Sequence, residues 1–217
     1  VDVSDPAHPS AVGFRWTCDP LDVAVAGNYA YVVDACEELY IVDVSVPATP
    51  TLSYLYEWPH DIENIAIAEP YAYVTAGYHG IYVLDISDPT APSQAGYLDN
   101  TTGSAYGVSV IGDYAYVAEG WVLQVLNVSD PASLSQVGSA LTSGWAEGIA
   151  VSDGRAYVTN EAEGLQVLNV SDPAHPTTEG NYATIGGSPL GVAVLGSTAY
   201  LAGYPGPNSN SRKILPS

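Results

Sequence analysis

The stretch Val83-Leu84-Asp85-Ile86-Ser87-Asp88-Pro89 decides the fold of this 217-residue chain. A β-branched apolar run ends there in a Ser-Asp-Pro turn. The phrase returns as Val1-Asp2-Val3-Ser4-Asp5-Pro6, Ile41-Val42-Asp43-Val44-Ser45-Val46-Pro47, Val125-Leu126-Asn127-Val128-Ser129-Asp130-Pro131 and Val167-Leu168-Asn169-Val170-Ser171-Asp172-Pro173. Counted at Asp2, Asp43, Asp85, Asn127 and Asn169, the steps are 41, 42, 42 and 42 residues. A step of that length suits one four-stranded propeller blade. No useful length follows a helical period of 3.6, so the chain reads as all-β.

Each repeat divides into four strand-like pieces. Strand A is short and alternates small with β-branched residues, as in Asn64-Ile65-Ala66-Ile67 and Gly148-Ile149-Ala150-Val151, which suits a crowded inner strand. Hairpin turns such as Gly27-Asn28 and Gly112-Asp113 lead into strand B, whose second tyrosine recurs at Tyr31, Tyr73, Tyr116, Tyr157 and Tyr200. Those tyrosines are expected to pack between adjacent sheets. Strand C is the opening phrase with its lead-in. Strand D is variable and polar, as an outer, half-exposed strand would be.

The chain opens with strands C and D (1–16), continues through units at about 22–57, 64–99, 107–141 and 148–183, and finishes with strands A and B (191–203). The two halves are complementary. Residues 1–203 are therefore expected to form one propeller domain of five blades, with residues 1–16 and 191–203 closing the fifth and removing the last edges. A fragment of a larger ring is the rival arrangement. Residues 204–217, rich in Pro, Asn and Ser, read as a flexible tail.

Four Lys and Arg stand against 24 Asp and Glu, a formal net charge of −20. A nucleic-acid partner needs a basic stripe to neutralise phosphates, and this chain has none. No apolar run approaches the roughly 20 residues of a spanning helix, so membrane insertion is not expected. The composition, with 17 Tyr, one Phe and no Met, points to an extracellular or cell-surface protein.

The phrases Tyr-Ala-Tyr-Val (71–74 and 114–117), Gly-Leu-Gln-Val-Leu (164–168) and Val-Ser-Asp-Pro-Ala-His-Pro (3–9 and 170–176) resemble those of the LVIVD-repeat β-propeller family. The resemblance covers about residues 1–203. It implies a bacterial or archaeal protein, secreted or at the cell surface, often part of a larger multidomain chain. It carries no catalytic motif. This sequence departs from the pattern at Val46, where Asp is usual, and at Leu134, where the second Pro is missing.

Cys18 and Cys36 flank the first A–B hairpin. With the turn at Gly27-Asn28, paired residue numbers sum to about 55, and 18 plus 36 is 54. A disulfide is expected there, which favours an oxidising compartment; unlinked thiols are the alternative. Two cysteines alone make a poor metal site. His8 and His175 hold the same place in their repeats, which argues for turn packing, whereas His60 and His79 have no equivalents. Asn100-Thr101-Thr102 is the credible glycosylation acceptor. The matches at Asn127 and Asn169 stand where other repeats carry Asp.

Propeller ligands bind around the channel mouth, on the face carrying the D-to-A and B-to-C loops. That face collects Asp19, His60, Asp61, Glu63, Tyr78, Glu119, Trp121, Trp145, Glu147 and Glu161 as candidate binding residues. Aromatic faces with carboxylates at the rim suit a saccharide or protein ligand, although the same rings could plug the ends of the sheets. The expected function is a non-catalytic recognition scaffold. One alternative is a glycan-cleaving enzyme using Asp61 and Glu147 as its carboxylate pair. The other is a structural or assembly subunit stabilised by Ca²⁺, for which the loop from Asp34 to Glu38 offers oxygens without EF-hand spacing. No cofactor is firmly implied.

Overall fold

The computed structural model describes residues 1–99, 103–161, 163–184 and 187–205. They are all-β. Sheet 1 runs β1 (Pro20–Ala26), β2 (Tyr29–Asp34), β3 (Glu38–Asp43) and β4 (Thr51–Glu57). Sheet 2 runs β5 (Asn64–Ala68), β6 (Tyr71–Thr75), β7 (Ile81–Asp85) and β8 (Ser93–Leu98). The next two repeats share one ladder of six named strands: β9 (Ala105–Ile111), β10 (Tyr114–Asn127), β11 (Ser135–Ser152), β12 (Arg155–Asn160), β13 (Gly164–Asn169) and β14 (Thr177–Tyr182). A two-stranded sheet of β15 (Gly187–Leu195) and β16 (Thr198–Pro205) follows. All named pairings are antiparallel.

Separate B and C strands are expected in the third repeat, yet β10 holds both. It doubles back: the Val128 N–H donates to the Asp113 carbonyl at 2.8 Å, so its two ends lie together. Gly120 sits at the bend with φ of 53°, a conformation that costs glycine little. The same bond recurs from Val44 to Asn28, Ile86 to Pro70 and Val170 to Gly154. β11 likewise joins the D strand of the third repeat to the A strand of the fourth. Gly120 pairs with Ala146 across this junction. We therefore treat β9, β10 and the first half of β11 as sheet 3, and the second half of β11 with β12 to β14 as sheet 4.

The phrase at 83–89 serves three ends at once. Val83 packs toward sheet 3 with Tyr73, Val108 and Val117. Leu84 and Ile86 pack toward sheet 1 with Tyr31, Leu39 and Ile41. A strand buried on both faces needs an unbroken apolar run rather than alternation. Asp85 ends the strand, its Oδ1 accepting the Ser87 N–H. The bond repeats at Asp2, Asp43, Asn127 and Asn169. Only an acceptor oxygen is required, which explains why Asn replaces Asp in two repeats.

Three of the five strand B tyrosines fill the clefts between sheets as expected, whereas Tyr157 is half-buried and Tyr200 exposed. Tyr31 lies between sheets 1 and 2, Tyr73 between 2 and 3, and Tyr116 between 3 and 4. The A strands form the inner line of the stack, β1 beside β5, β5 beside β9, β9 beside β11 and β11 beside β15. Side chains tie some of them directly. Asp22 Oδ2 accepts the Ile65 N–H, and Asn64 Oδ1 accepts the Val108 N–H. Farther along, Gly107 and Gly148 stand where a Cβ would strike the backbone of the next A strand.

Among the described residues the two ends of the stack are not joined. Residues 1–16 carry only the bridge between Asp2 and Ser10, and β16 pairs with β15 alone. β16 also runs to Pro205, past the expected start of the tail, whose residues 206–217 lie outside the described part, as does Asn100.

Candidate functional site

Cys18 and Cys36 form a disulfide, with Cα atoms 6.2 Å apart. The register explains it: Ala26 pairs with Tyr29, and a bulge between Pro20 and Asp22 shifts the sum so that Pro20 faces Asp34. Asp34 is fully buried and fastens the same corner. Its two carboxylate oxygens accept the Asp19 N–H at 2.8 Å and the Cys36 N–H at 2.9 Å. Asp19 thus serves through its backbone as a brace. The ligating atoms of Cys18, Asp34 and Cys36 lie within 4.8 Å of one another, but the sulfurs are bonded and both oxygens are engaged.

The four tryptophans part company. Trp58 is buried and packs on Tyr56 and Tyr82, so it plugs the seam between sheets 1 and 2. Trp16 is exposed and meets Phe14 edge-on near the start of the chain. Trp121 and Trp145 come together. Their rings meet at 87° with centroids 6.3 Å apart, and the Tyr106 and Trp145 centroids lie 6.0 Å apart. Trp121 follows the bend at Gly120, and a Cβ there would contact the Trp145 ring at 3.6 Å. The bend therefore sets both rings, leaving Trp121 57 % exposed. Edge-to-face contacts of this kind hold aromatic rings in place while leaving a face free.

Carboxylates border this cluster. Glu147 is half-buried two residues after Trp145, and burial pushes its carboxyl up, helped by the charges of Glu161 and Glu63. Glu63 is raised in the same way, by burial and then by exposed Asp61. Glu119 is buried with its side chain over Gly103, and lines the interior of the corner instead of the rim. Glu161 is exposed, and its N–H donates to the Trp145 carbonyl at 3.0 Å. His60 and His79 stack in parallel with centroids 3.5 Å apart, and Tyr78 beside them is exposed. Sequence reasoning noted both histidines but not their contact; their lack of equivalents in other repeats was the only signal. His8 and His175 bond Asp5 and Asp172 within their turns. A cleft of about 270 Å³ lies elsewhere, lined by the turns at Gly27-Asn28, Pro70 and Ser87.

A raised carboxyl binds its proton more tightly folded than unfolded. Glu63 and Glu147 therefore favour the fold at low pH, and that contribution is lost as pH rises through their folded values. The turn carboxylates Asp43, Asp85 and Asp172 are lowered by the hydrogen bonds they accept, so their contribution is lost as pH falls. The melting temperature is expected to peak in weakly acidic buffer, at about pH 5. Glu147→Gln should raise it by roughly 1–3 °C at alkaline pH, with the gain shrinking in acid. A variant that melts lower than the parent at both ends would overturn this account of the cluster.

The sequence model of one family, described as the LVIVD repeat, matches residues 1–16, 19–57, 60–99, 102–142 and 143–184. No curated protein matches the chain. Several solved structures share its fold. A functionally unknown protein from Desulfotomaculum acetoxidans DSM 771 is 15% identical, with TM-score 0.72 over 88% of this chain and 64% of that one. A chain of the mitotic checkpoint complex is 10% identical, with TM-score 0.68 over 83% of this chain and 57% of that one. The computationally designed Ika4 protein is 10% identical, with TM-score 0.58 over 76% of this chain and 99% of that one. The chain thus spans under two thirds of the first two.

Proposed function

The chain belongs to the LVIVD repeat family, and on that premise we propose that it is a non-catalytic recognition scaffold of the cell exterior. In this reading the sheets are blades of a propeller, and the end of the stack carrying Tyr106 of β9, Trp121 of β10 and Trp145 of β11 forms its binding mouth. The observation that carries it is the exposed Trp121 ring, held edge-on by Trp145, with half-buried Glu147 two residues after Trp145. An exposed aromatic face buys little for folding and much for binding, because it can be desolvated by a ligand. Carboxylates at its border accept hydrogen bonds from a ligand's edge, as sugar hydroxyls or protein N–H groups supply. The disulfide is compatible with an oxidising compartment.

Glycan and protein arrays probed with the intact chain would supply a ligand. Trp121→Ala and Trp145→Ala should each weaken its binding by more than about tenfold while leaving the circular dichroism spectrum unchanged. Full binding by both variants would remove the loop face from consideration.

A further inference from the structure

We propose that the partner of the Trp121 face is a protein segment carrying arginine, whose guanidinium enters the corner between the indoles and is met by carboxylates of the neighbouring A strands. The proposal rests on the reading of that face as the binding mouth and names what it takes. The rings supply the first argument. Trp121 and Trp145 stand at 87°, and Tyr106 and Trp145 at 62°, so the three make a corner and not the flat platform on which a sugar chain lies. A guanidinium suits a corner, because its plane stacks on an indole while its N–H groups fork from the edge onto carboxylate oxygens. Trp121 is exposed and Trp145 half-buried, so solvent reaches both rings.

The charges supply the second. Glu63, Tyr106 and Glu147 hold the same repeat position, each one residue ahead of Asn64, Gly107 or Gly148. The strands are in step there: Asn64 Oδ1 accepts the Val108 N–H, and a Cβ on Gly107 would strike the Glu147 carbonyl at 2.4 Å. Tyr106 therefore stands on the strand between the two carboxylates. Glu161 joins them, its N–H donating to the Trp145 carbonyl. Burial pushes the Glu147 carboxyl up, and the charges of Glu161 and Glu63 add to it, so both lie within electrostatic reach. Among the described residues no cation answers this group. Arg155 is bonded to Glu179 at 2.6 Å, and the charge of Arg15 is felt at Tyr40 of β3. The other two basic residues, Arg212 and Lys213, lie outside the described part.

Unanswered carboxylates beside exposed indoles complement arginine in both of its chemistries, the charge and the flat, weakly hydrated face. The net charge of −20 adds long-range attraction for the same partner, which speeds encounter and weakens with salt.

The probe is an oligo-arginine peptide titrated into the full chain by calorimetry, with oligo-lysine and a protonated chitosan oligomer alongside. Oligo-arginine should bind most tightly of the three, and less tightly as salt rises. Trp121→Ala should weaken it by more than about tenfold, and Glu147→Gln by roughly threefold to tenfold. Asp85→Asn removes the same unit of charge from a turn that keeps its acceptor oxygen, and should leave the affinity unchanged. Equal losses for Asp85→Asn and Glu147→Gln, with Trp121→Ala binding normally, would mean that the peptide follows the overall charge, and would overturn the proposal. So would tighter binding of oligo-lysine or chitosan, either of which would put an amine in place of the guanidinium. An array ligand that needs Trp121 but ignores Glu147→Gln and salt overturns the arginine inference and leaves the recognition reading standing. If no ligand depends on Trp121, both fall.

Discussion

Gly96→Ala is expected to destabilise the protein by about 3 kcal/mol, lowering the melting temperature by roughly 6–12 °C. The backbone at Gly96 is not in the left-handed region, so the cost is steric alone. The added methyl meets the Pro131 carbonyl, which is itself held by the turn bonded from the Ser133 N–H to the Asp130 carbonyl. Neither strand nor turn can yield without opening the seam between sheets 2 and 3. Gly138→Ala should behave alike, against Pro173. Gly180→Ala is the internal control. With no neighbour to meet, it should be neutral or stabilise the protein by about 0.4–1 kcal/mol through the unfolded chain. Thermal unfolding of the variants in dilute solution measures all three. Equal losses at Gly96 and Gly180 would mean that strand geometry, not the neighbouring turn, sets the requirement for glycine.

Removing the disulfide by Cys18→Ser with Cys36→Ser should cost about 3 kcal/mol in the chain-entropy account, again roughly 6–12 °C. The two cysteines are 18 residues apart and enclose the first hairpin. Among the described residues no sheet packs on the outer face of that hairpin, where Val23 and Val25 are exposed. The cross-link therefore supports a part of the stack with little tertiary cover. Asp34 continues to tie the corner through the Asp19 and Cys36 N–H groups, so the variant should fold. Reductant should reproduce the loss in the parent and leave the variant unchanged. A parent insensitive to reductant would show that the hairpin is held by Asp34 and the β1–β2 ladder alone.

The aromatic cluster was only partly legible in the sequence. Trp121, Trp145 and Glu147 could be placed on the loop face because the repeat positions are known once the period is known. That Trp58 would be buried under Tyr56 and Tyr82 while Trp121 stays exposed could not be read, since both occupy loop edges in their repeats. Trp58 follows β4 and is covered by Tyr56 and Tyr82, whereas Trp121 stands on the bend that Gly120 makes within β10. Glu119 and Asp19 were equally plausible as rim residues. One is buried over Gly103 and the other braces Asp34, contacts made with segments 15 or more residues away.

By itself the sequence determined the repeat unit, the all-β class and the strand order within each sheet, and it brought Cys18 and Cys36 within reach of each other, the disulfide itself being decided by the structure. Those features follow from short-range signals that every repeat carries: unbroken apolar runs, hairpin glycines and Asp or Asn acceptors at the strand ends. Only the tertiary structure decided which surfaces stay bare. Whether Tyr200 is buried like Tyr31 depends on the presence of a following sheet, and no local signal in Thr-Ala-Tyr-Leu (198–201) distinguishes the two cases. The burial of a blade face is a property of its neighbour. The end of the stack and the tryptophan face therefore became visible only when the sheets were set side by side.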